Sequence, residues 1–156
     1  MARNGKVDFH DLENFRKNLE KNLTGKELDL FIESCAKELA ARLLAKVIKR
    51  TPVGQYPNSS GKKGGTLRKG WTGGKNQAGS AYASNLKVNH FGDAYVIEII
   101  NPVEYASYVE FGHRTPNHQG WVEGKFMLTI SEQEIQSDAP KVLEKKLKKK
   151  LNEVFR

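Results

Sequence analysis

Four histidines, at positions 10, 90, 113 and 118, one cysteine and 18 acidic side chains are the residues from which a reactive centre could be built. They form no catalytic pattern. The histidines fall in unlike contexts, and no Ser-His-Asp order or paired-carboxylate setting appears. His113 and His118 lie five residues apart, with Asp93 or Glu123 as an imaginable third ligand. Metal sites require converging ligands held by a second shell of hydrogen bonds, and nothing in this stretch fixes one, so no metal and no cofactor are expected. Cys35 has no disulfide partner and sits on the apolar side of a helical pattern, where a free cysteine packs as a small hydrophobe. The glycines between 54 and 65 lack the Gly-x4-Gly-Lys-Ser/Thr spacing of a phosphate loop and its strand-then-helix setting. An enzyme is not expected.

Charge suggests a different chemistry. The chain of 156 residues carries a net charge of +8, and the charge is segregated. Residues 1–50 hold 11 basic and 8 acidic groups, residues 51–80 hold 5 and 0, residues 81–140 hold 3 and 8, and residues 141–156 hold 7 and 2. A basic loop, an acidic middle and a basic tail suit either complementary faces between neighbouring subunits or contact with a polyanion. Lys62, Lys63, Arg68 and Lys69 are the candidate phosphate contacts. The basic clusters are not interleaved with aromatics on one strand, so any DNA contact should be weak, salt-sensitive and blind to sequence.

The elements that must hold these groups read as follows. Phe9, Leu12, Phe15, Leu19 and Leu23 give an apolar stripe over 8–22, with Asp8 as a possible N-cap. Thr24-Gly25-Lys26-Glu27 has the capping-box form. A long helix then buries Leu28, Ile32, Cys35, Leu39, Leu43 and Val47, and Pro52 ends it. Leu67 and Trp71 point inward from a strand near 66–72. The hairpin 85–100 turns at Gly92-Asp93 in a type II′ geometry. It pairs His90 with Tyr95, Val88 with Ile97 and Leu86 with Ile99, and sets Lys87 against Glu98 on the other face. From Phe126 the pattern is helical again, with Ser131-x-x-Glu134 a possible capping box and Pro140 a break or kink. A basic helix covers 141–156. The expectation is a single α+β domain over 1–156: a small antiparallel sheet packed against a long helix, with N- and C-terminal helices. Residues 53–65 and 113–124 are expected to be flexible loops. The first residues lack an apolar signal core, and no run approaches the ~20 apolar residues of a membrane span. The chain is therefore expected in the cytosol unless a larger particle carries it.

The stretch Tyr105-Ala106-Ser107-Tyr108-Val109-Glu110-Phe111-Gly112 stands between these elements. Tyr105, Tyr108 and Val109 would share one face of a short helix that Gly112 stops. That face is either a core-packing turn or an aromatic assembly surface, since Tyr and Phe are enriched where proteins meet. The stretch resembles the signature of the tail-completion, or head–tail joining, minor tail proteins of long-tailed DNA phages and prophages. Thr51-Pro52-Val53, Gly65-Thr66-Leu67-Arg68 and Trp71 resemble a second part of that pattern, split here by Gly54 to Gly64. Gly124-Lys125-Phe126-Met127 resembles a third. The matches keep the family's order over roughly 27–135. The resemblance implies a virion structural protein of the neck or upper tail, made in the host cytoplasm. It implies no enzymatic activity and no cofactor. Its implied partners are other neck or tail proteins and further copies of itself in an oligomeric ring, with a hexamer in keeping with tail symmetry. The candidate assembly interface is Tyr105, Tyr108, Phe111, Arg114 and Trp121. The alternative is a basic protein that binds nucleic acid non-specifically.

Overall fold

The computed structural model describes residues 3–8 and 25–154. Its centre is α1 (Gly25–Arg50). Leu28, Ile32, Cys35, Leu39, Leu43 and Val47 recur every three to four residues, and all are buried, as are Phe31, Ala36, Ala40 and Leu44 beside them. At 1.5 Å per residue the helix is about 39 Å long. It is stopped at Thr51, whose N–H and hydroxyl both donate to the Val47 carbonyl, at 2.9 and 2.6 Å. Thr24, the expected N-cap, and the expected helix over 8–22 lie outside the described residues, apart from Asp8.

Against α1 lies a three-stranded antiparallel sheet: β1 (Arg3–Asp8), β2 (Asn89–Phe91) and β3 (Ala94–Asn101), in the order β1-β3-β2. β3 alternates as a half-buried strand should, with Tyr95, Ile97, Ile99 and Asn101 buried and Glu98 exposed. The hairpin keeps the expected register, His90 opposite Tyr95, and Gly92 takes φ +60 in the turn. Asp93 is not at positive φ, as a II′ turn requires.

Pairing stops at Asn89, however. Val88–Ile97, Leu86–Ile99 and Lys87–Glu98 do not form: a short helix ends at Ser84, and residues 85–88 connect it to β2 outside any strand. There α3 (Gly79–Ser84) ends in a turn through Leu86. Leu86 and Val88 pack at the edge of the core instead. Glu98 faces Lys6 of β1 across the ladder. Asp8 ends β1 and is not a helix cap.

The third strand was expected near 66–72, and that segment is helical: α2 (Thr66–Gly70). Leu67 and Trp71 do point inward and are buried. Residues four apart share a face in a helix and in a strand alike, so their spacing could not separate the two. Gly70 explains the close seat of α2, since a Cβ there would come within 2.2 Å of Asn101 Oδ1. The Asn101 amide in turn donates to the Leu67 carbonyl at 2.8 Å. Trp71 Nε1 donates to Thr51 Oγ1 at 2.9 Å, which gives the buried indole its polar partner.

After β3 come α4 (Ala106–Phe111), then β4 (Gly112–Arg114) and β5 (Trp121–Glu123), which pair antiparallel. Strands thus occupy both ends of the stretch expected to be a loop. The chain closes with α5 (Met127–Val154), one continuous helix with Pro140 inside it. Pro140 does not break it. Pro140 and Gln136, whose carbonyl loses its helical donor, are both exposed, so solvent can satisfy that carbonyl. Ser131 is not a cap either: it lies inside α5 and its hydroxyl donates to the Met127 carbonyl at 2.6 Å. The basic segment from 141 is the second half of this helix.

α5 runs antiparallel to α1 and is clamped to it by ions. The Glu134 carboxylate accepts hydrogen bonds from both nitrogens of the Arg50 fork and from Lys46. Lys146 donates to Glu38 at 2.9 Å and to the Ser34 carbonyl at 3.3 Å. The Arg50 and Lys46 hydrogen bonds hold the Glu134 carboxyl below its ordinary 4.5. At Glu38, burial pulls upward, but hydrogen bonds from Lys146 and Arg42 outweigh it and the net direction is also down. A depressed carboxyl stabilises the fold above its unfolded pKa and loses that contribution as pH falls through the folded value. The thermal midpoint should therefore drop on acidification below pH 4.5. Glu134→Gln should melt lower than the parent at neutral pH and lose less on acidification, measured by circular dichroism across a pH series. Parallel curves for the two proteins would remove Glu134 from the account.

Candidate assembly surface

Polar contacts around one buried carboxylate build this surface. Glu110, on the inner side of α4, is 1% exposed. Its oxygens accept the N–H of Leu128 at 2.9 Å, the N–H of Thr129 at 2.9 Å and the Thr129 hydroxyl at 2.7 Å. These are the second and third residues of α5, whose first-turn N–H groups have no partner within the helix. A carboxylate suits the positive end of a helix dipole. The chain between is drawn in the same way: Lys125 N–H donates to the Val109 carbonyl at 2.7 Å and Phe126 N–H to the Glu110 carbonyl at 3.0 Å.

Two glycines permit that closeness. A Cβ on Gly124 would lie 2.4 Å from the Glu110 carbonyl oxygen, and one on Gly112 would lie 2.4 Å from that of Val122. Gly112 also ends α4 at φ +86, a conformation that side chains oppose. It is the expected helix stop.

With Ala106 and Glu110 inside, the remaining faces of α4 turn outward. Tyr105, Tyr108 and Phe111 are exposed. Val109 is half-buried against the core, so it does not share the tyrosines' face. Trp121 and Val122 on β5, and Phe126 and Ile130 at the start of α5, continue the apolar exposure, which runs from 38% at Ile130 to 58% at Tyr108. The rings touch. Phe111 and Phe126 meet edge to face at 6.5 Å between centroids, and Tyr108 meets His113 at 5.7 Å. The Trp121 indole nitrogen lies 2.9 Å from where a Gly112 Cβ would stand, so the indole lies over that glycine. Arg114 is exposed and opposite Trp121 in the ribbon. Phe126 holds φ +46, a strained state for a bulky residue, and its carbonyl accepts the first α5 bond from Ile130 at 2.9 Å.

Of the expected interface, Tyr108 and Phe111 lie on α4 with Tyr105 just before it, while Arg114 and Trp121 face each other on the ribbon. Phe126, Val122 and Ile130 were missed as surface residues. Phe126 and Ile130 lie on the outer side, and the inner face of α5 carries Met127, Leu128, Ser131 and Ile135. Glu110 was also missed, because nothing local distinguishes it from a solvated glutamate.

Arg68 donates to the Thr51 carbonyl at 2.6 Å and the Lys49 carbonyl at 3.4 Å, so its charge covers the end of α1. The Lys62 ammonium stands 5.9 Å from the Tyr56 ring centroid, within cation–π range. Lys63 and Lys69 are exposed. His90 is more exposed than its register implied. It lies 2.9 Å from Glu33 and edge-on to Tyr95. Cys35 is buried, and burial pushes its thiol up to about 12. Among the described residues no group of three or more potential ligands converges on a metal position, and no helix is long and apolar enough to cross a membrane.

Residues 13–112 match a family model described as "Bacteriophage HK97-gp10, putative tail-component". The match covers the Thr51–Trp71 and Tyr105–Gly112 segments and ends before Gly124. No curated protein and no solved structure matches the chain.

Substitution should separate the two kinds of glycine in this fold. Gly112→Ala should cost about 1–3 kcal/mol in urea unfolding from positive φ alone, and more from the Val122 overlap. Glu110→Ala should cost about 1–3 kcal/mol by stranding buried N–H groups. Gly25→Ala has open space and no positive φ, and should leave stability unchanged or slightly raised. Equal effects at Gly112 and Gly25 would refute the close-packing account.

Proposed function

We propose a role on the premise that the chain belongs to the HK97-gp10-like family of bacteriophage tail components: it is a structural protein of the neck or upper tail that helps complete the tail and join it to the head. In this reading it works by contact, without catalysis or cofactor. Copies of the chain associate, as a ring in keeping with sixfold tail symmetry, and bind neighbouring neck or tail proteins. It is made in the host cytoplasm and ends in the virion.

One observation carries the reading. The exposed rings of Phe111 and Phe126 meet edge to face on a braced corner, and Tyr108, Trp121 and Ile130 on the adjoining elements are exposed as well. Contiguous exposed aromatics mark contact sites on soluble proteins, and large rings of this kind carry much of the binding energy where proteins meet. The corner lies within and just beyond the family match, which adds support. Nucleic-acid binding draws less support, since Arg68 is engaged with the Thr51 and Lys49 carbonyls at the end of α1.

The test is a particle assay with a mass measurement. Light scattering after size exclusion should give a mass above 17.6 kDa, alone or with a tail-tube or neck protein. Phe111→Ala/Trp121→Ala should lower the complex yield at least about tenfold while keeping the native circular dichroism. In a phage lacking the gene, the wild type should restore joined particles and the double variant should leave separate heads and tails. Complete infectious particles without the protein would overturn the role. Full complementation by the double variant would overturn the assignment of the surface.

A further inference from the structure

The carboxy-terminal end of α1 gathers positive charge that the tail reading does not use. Between Glu38 and Asp93 the sequence holds ten basic side chains and no carboxylate. Four of the ten are engaged within the fold. Arg42 pairs with Glu38, Lys46 and Arg50 pair with Glu134, and Arg68 binds the Thr51 and Lys49 carbonyls. Lys49, Lys62, Lys63, Lys69 and Lys75 are exposed, and none forms an ion pair with a described residue.

The backbone brings these five toward one end of the molecule. Lys49 lies in the last turn of α1, and its carbonyl takes the Arg68 guanidinium, which holds α2 and hence Lys69 there. Gly74 N–H donates to the Lys69 carbonyl at 2.8 Å and the Thr72 hydroxyl to the Lys75 carbonyl at 2.6 Å, so the chain turns Lys75 back toward Lys69. Residues 52–64 leave α1 and return to α2 as an arm, every residue of it exposed. Its stem is closed, since a Cβ on Gly64 would overlap the Gly54 carbonyl oxygen. Its tip is a built turn. Ser60 N–H donates to the Pro57 carbonyl at 2.9 Å, Lys62 N–H donates to the Ser60 hydroxyl at 3.2 Å, and the Lys62 ammonium stands over the Tyr56 ring.

We propose that this end of the molecule binds the phosphodiester backbone of duplex DNA without regard to sequence, through Lys49, Lys62, Lys63, Lys69 and Lys75. The chemistry of the arm favours nucleic acid over an acidic protein. Beside its lysines it offers Gln55, Asn58, Ser59 and Ser60, side chains that bond phosphate and sugar. Apart from its prolines, Val53 and Tyr56 are its large apolar groups, too few for the apolar centre of a protein interface. No carboxylate on it opposes a phosphate. The carboxylates that meet the last turns of α1, Glu134 and Asp138, face Arg50 and Lys46. Single strands are held by stacking on free rings, and the arm's one ring already faces Lys62, so a duplex backbone fits better. No helix here is placed to read bases, since α2 has five residues and buries Leu67 and Gly70. The contact adds to the assembly role and does not depend on it.

The probe is a labelled DNA duplex of about 20 base pairs, titrated against the full chain by fluorescence anisotropy at several salt concentrations. Saturable binding is expected, equal for duplexes of unrelated sequence. Five phosphate contacts give a slope of log affinity against log salt of about −4.5. Lys62→Gln/Lys63→Gln should weaken binding at least about tenfold and bring the slope about 2 closer to zero, with the native circular dichroism kept. Lys145→Gln/Lys149→Gln removes the same charge from α5 near the Lys146–Glu38 contact, about 18 Å back along α1 from its end, and should leave both quantities unchanged. Absence of binding at low salt overturns the proposal. Equal weakening by the two double variants also overturns it, because net charge alone would then account for the binding. Tighter binding of a polyglutamate peptide that depends on Lys62 and Lys63 overturns it as well and assigns the arm to an acidic protein. The assay needs no phage particle, so its failure and failure of the tail reading are distinct results.

Discussion

The clasp of the Glu110 carboxylate on the start of α5 is the contact on which the outer geometry depends. A short helix of six residues has little stability of its own. α4 holds its orientation because Ala106 and Glu110 are buried, and Glu110 binds the free N–H groups of a helix 28 residues long. That bond orders two elements at once. It starts α5 at a defined residue, and it fixes which side of α4 faces water. The glycines at 112 and 124 then bring the β4–β5 ribbon down onto the same corner, where the Phe111 and Phe126 rings meet.

The aromatic exposure is therefore a consequence of what is buried. Phe111 is exposed because Glu110 beside it must be inside. Phe126 is exposed because its carbonyl must receive the first α5 hydrogen bond while its N–H reaches the Glu110 carbonyl, and its left-handed backbone satisfies both. A solvent-facing Phe in a strained conformation is unfavourable in the free molecule, which is consistent with a surface meant to be covered. The other end of the molecule is organised by ions. The α1–α5 clamp uses Arg50, Lys46 and Lys146 against Glu134 and Glu38, all partly solvated. Each such pair is worth little alone, and they flank the apolar contact of the two helices, where Leu128, Ile135 and Leu143 join the core of α1.

The long helix α1, its buried stripe, the hairpin turn at Gly92-Asp93 and the stop at Gly112 were legible from the chain because each rests on local physics. Apolar residues at helical spacing need one buried face, and positive φ needs glycine. The α+β class and the phage tail resemblance followed from the same residues. The identity of the third strand was not legible. Arg3–Asp8 holds one β-branched residue among charged and polar ones, and it becomes a strand because β3 offers a free edge. Leu67 and Trp71 fitted a strand as well as the helix they form, since a spacing of four satisfies both periods.

The sequence by itself determined the core helix, the turn positions and the segregation of charge, because those depend on neighbours within a few residues. Only the tertiary structure decided that Arg68 covers a helix end, that Pro140 leaves α5 continuous, and that Glu110 lies inside while Phe111, Trp121 and Phe126 lie outside. Such choices are set by partners distant along the chain. A buried carboxylate is tolerated only where donors converge on it, and Leu128 and Thr129 stand 18 and 19 residues away from Glu110.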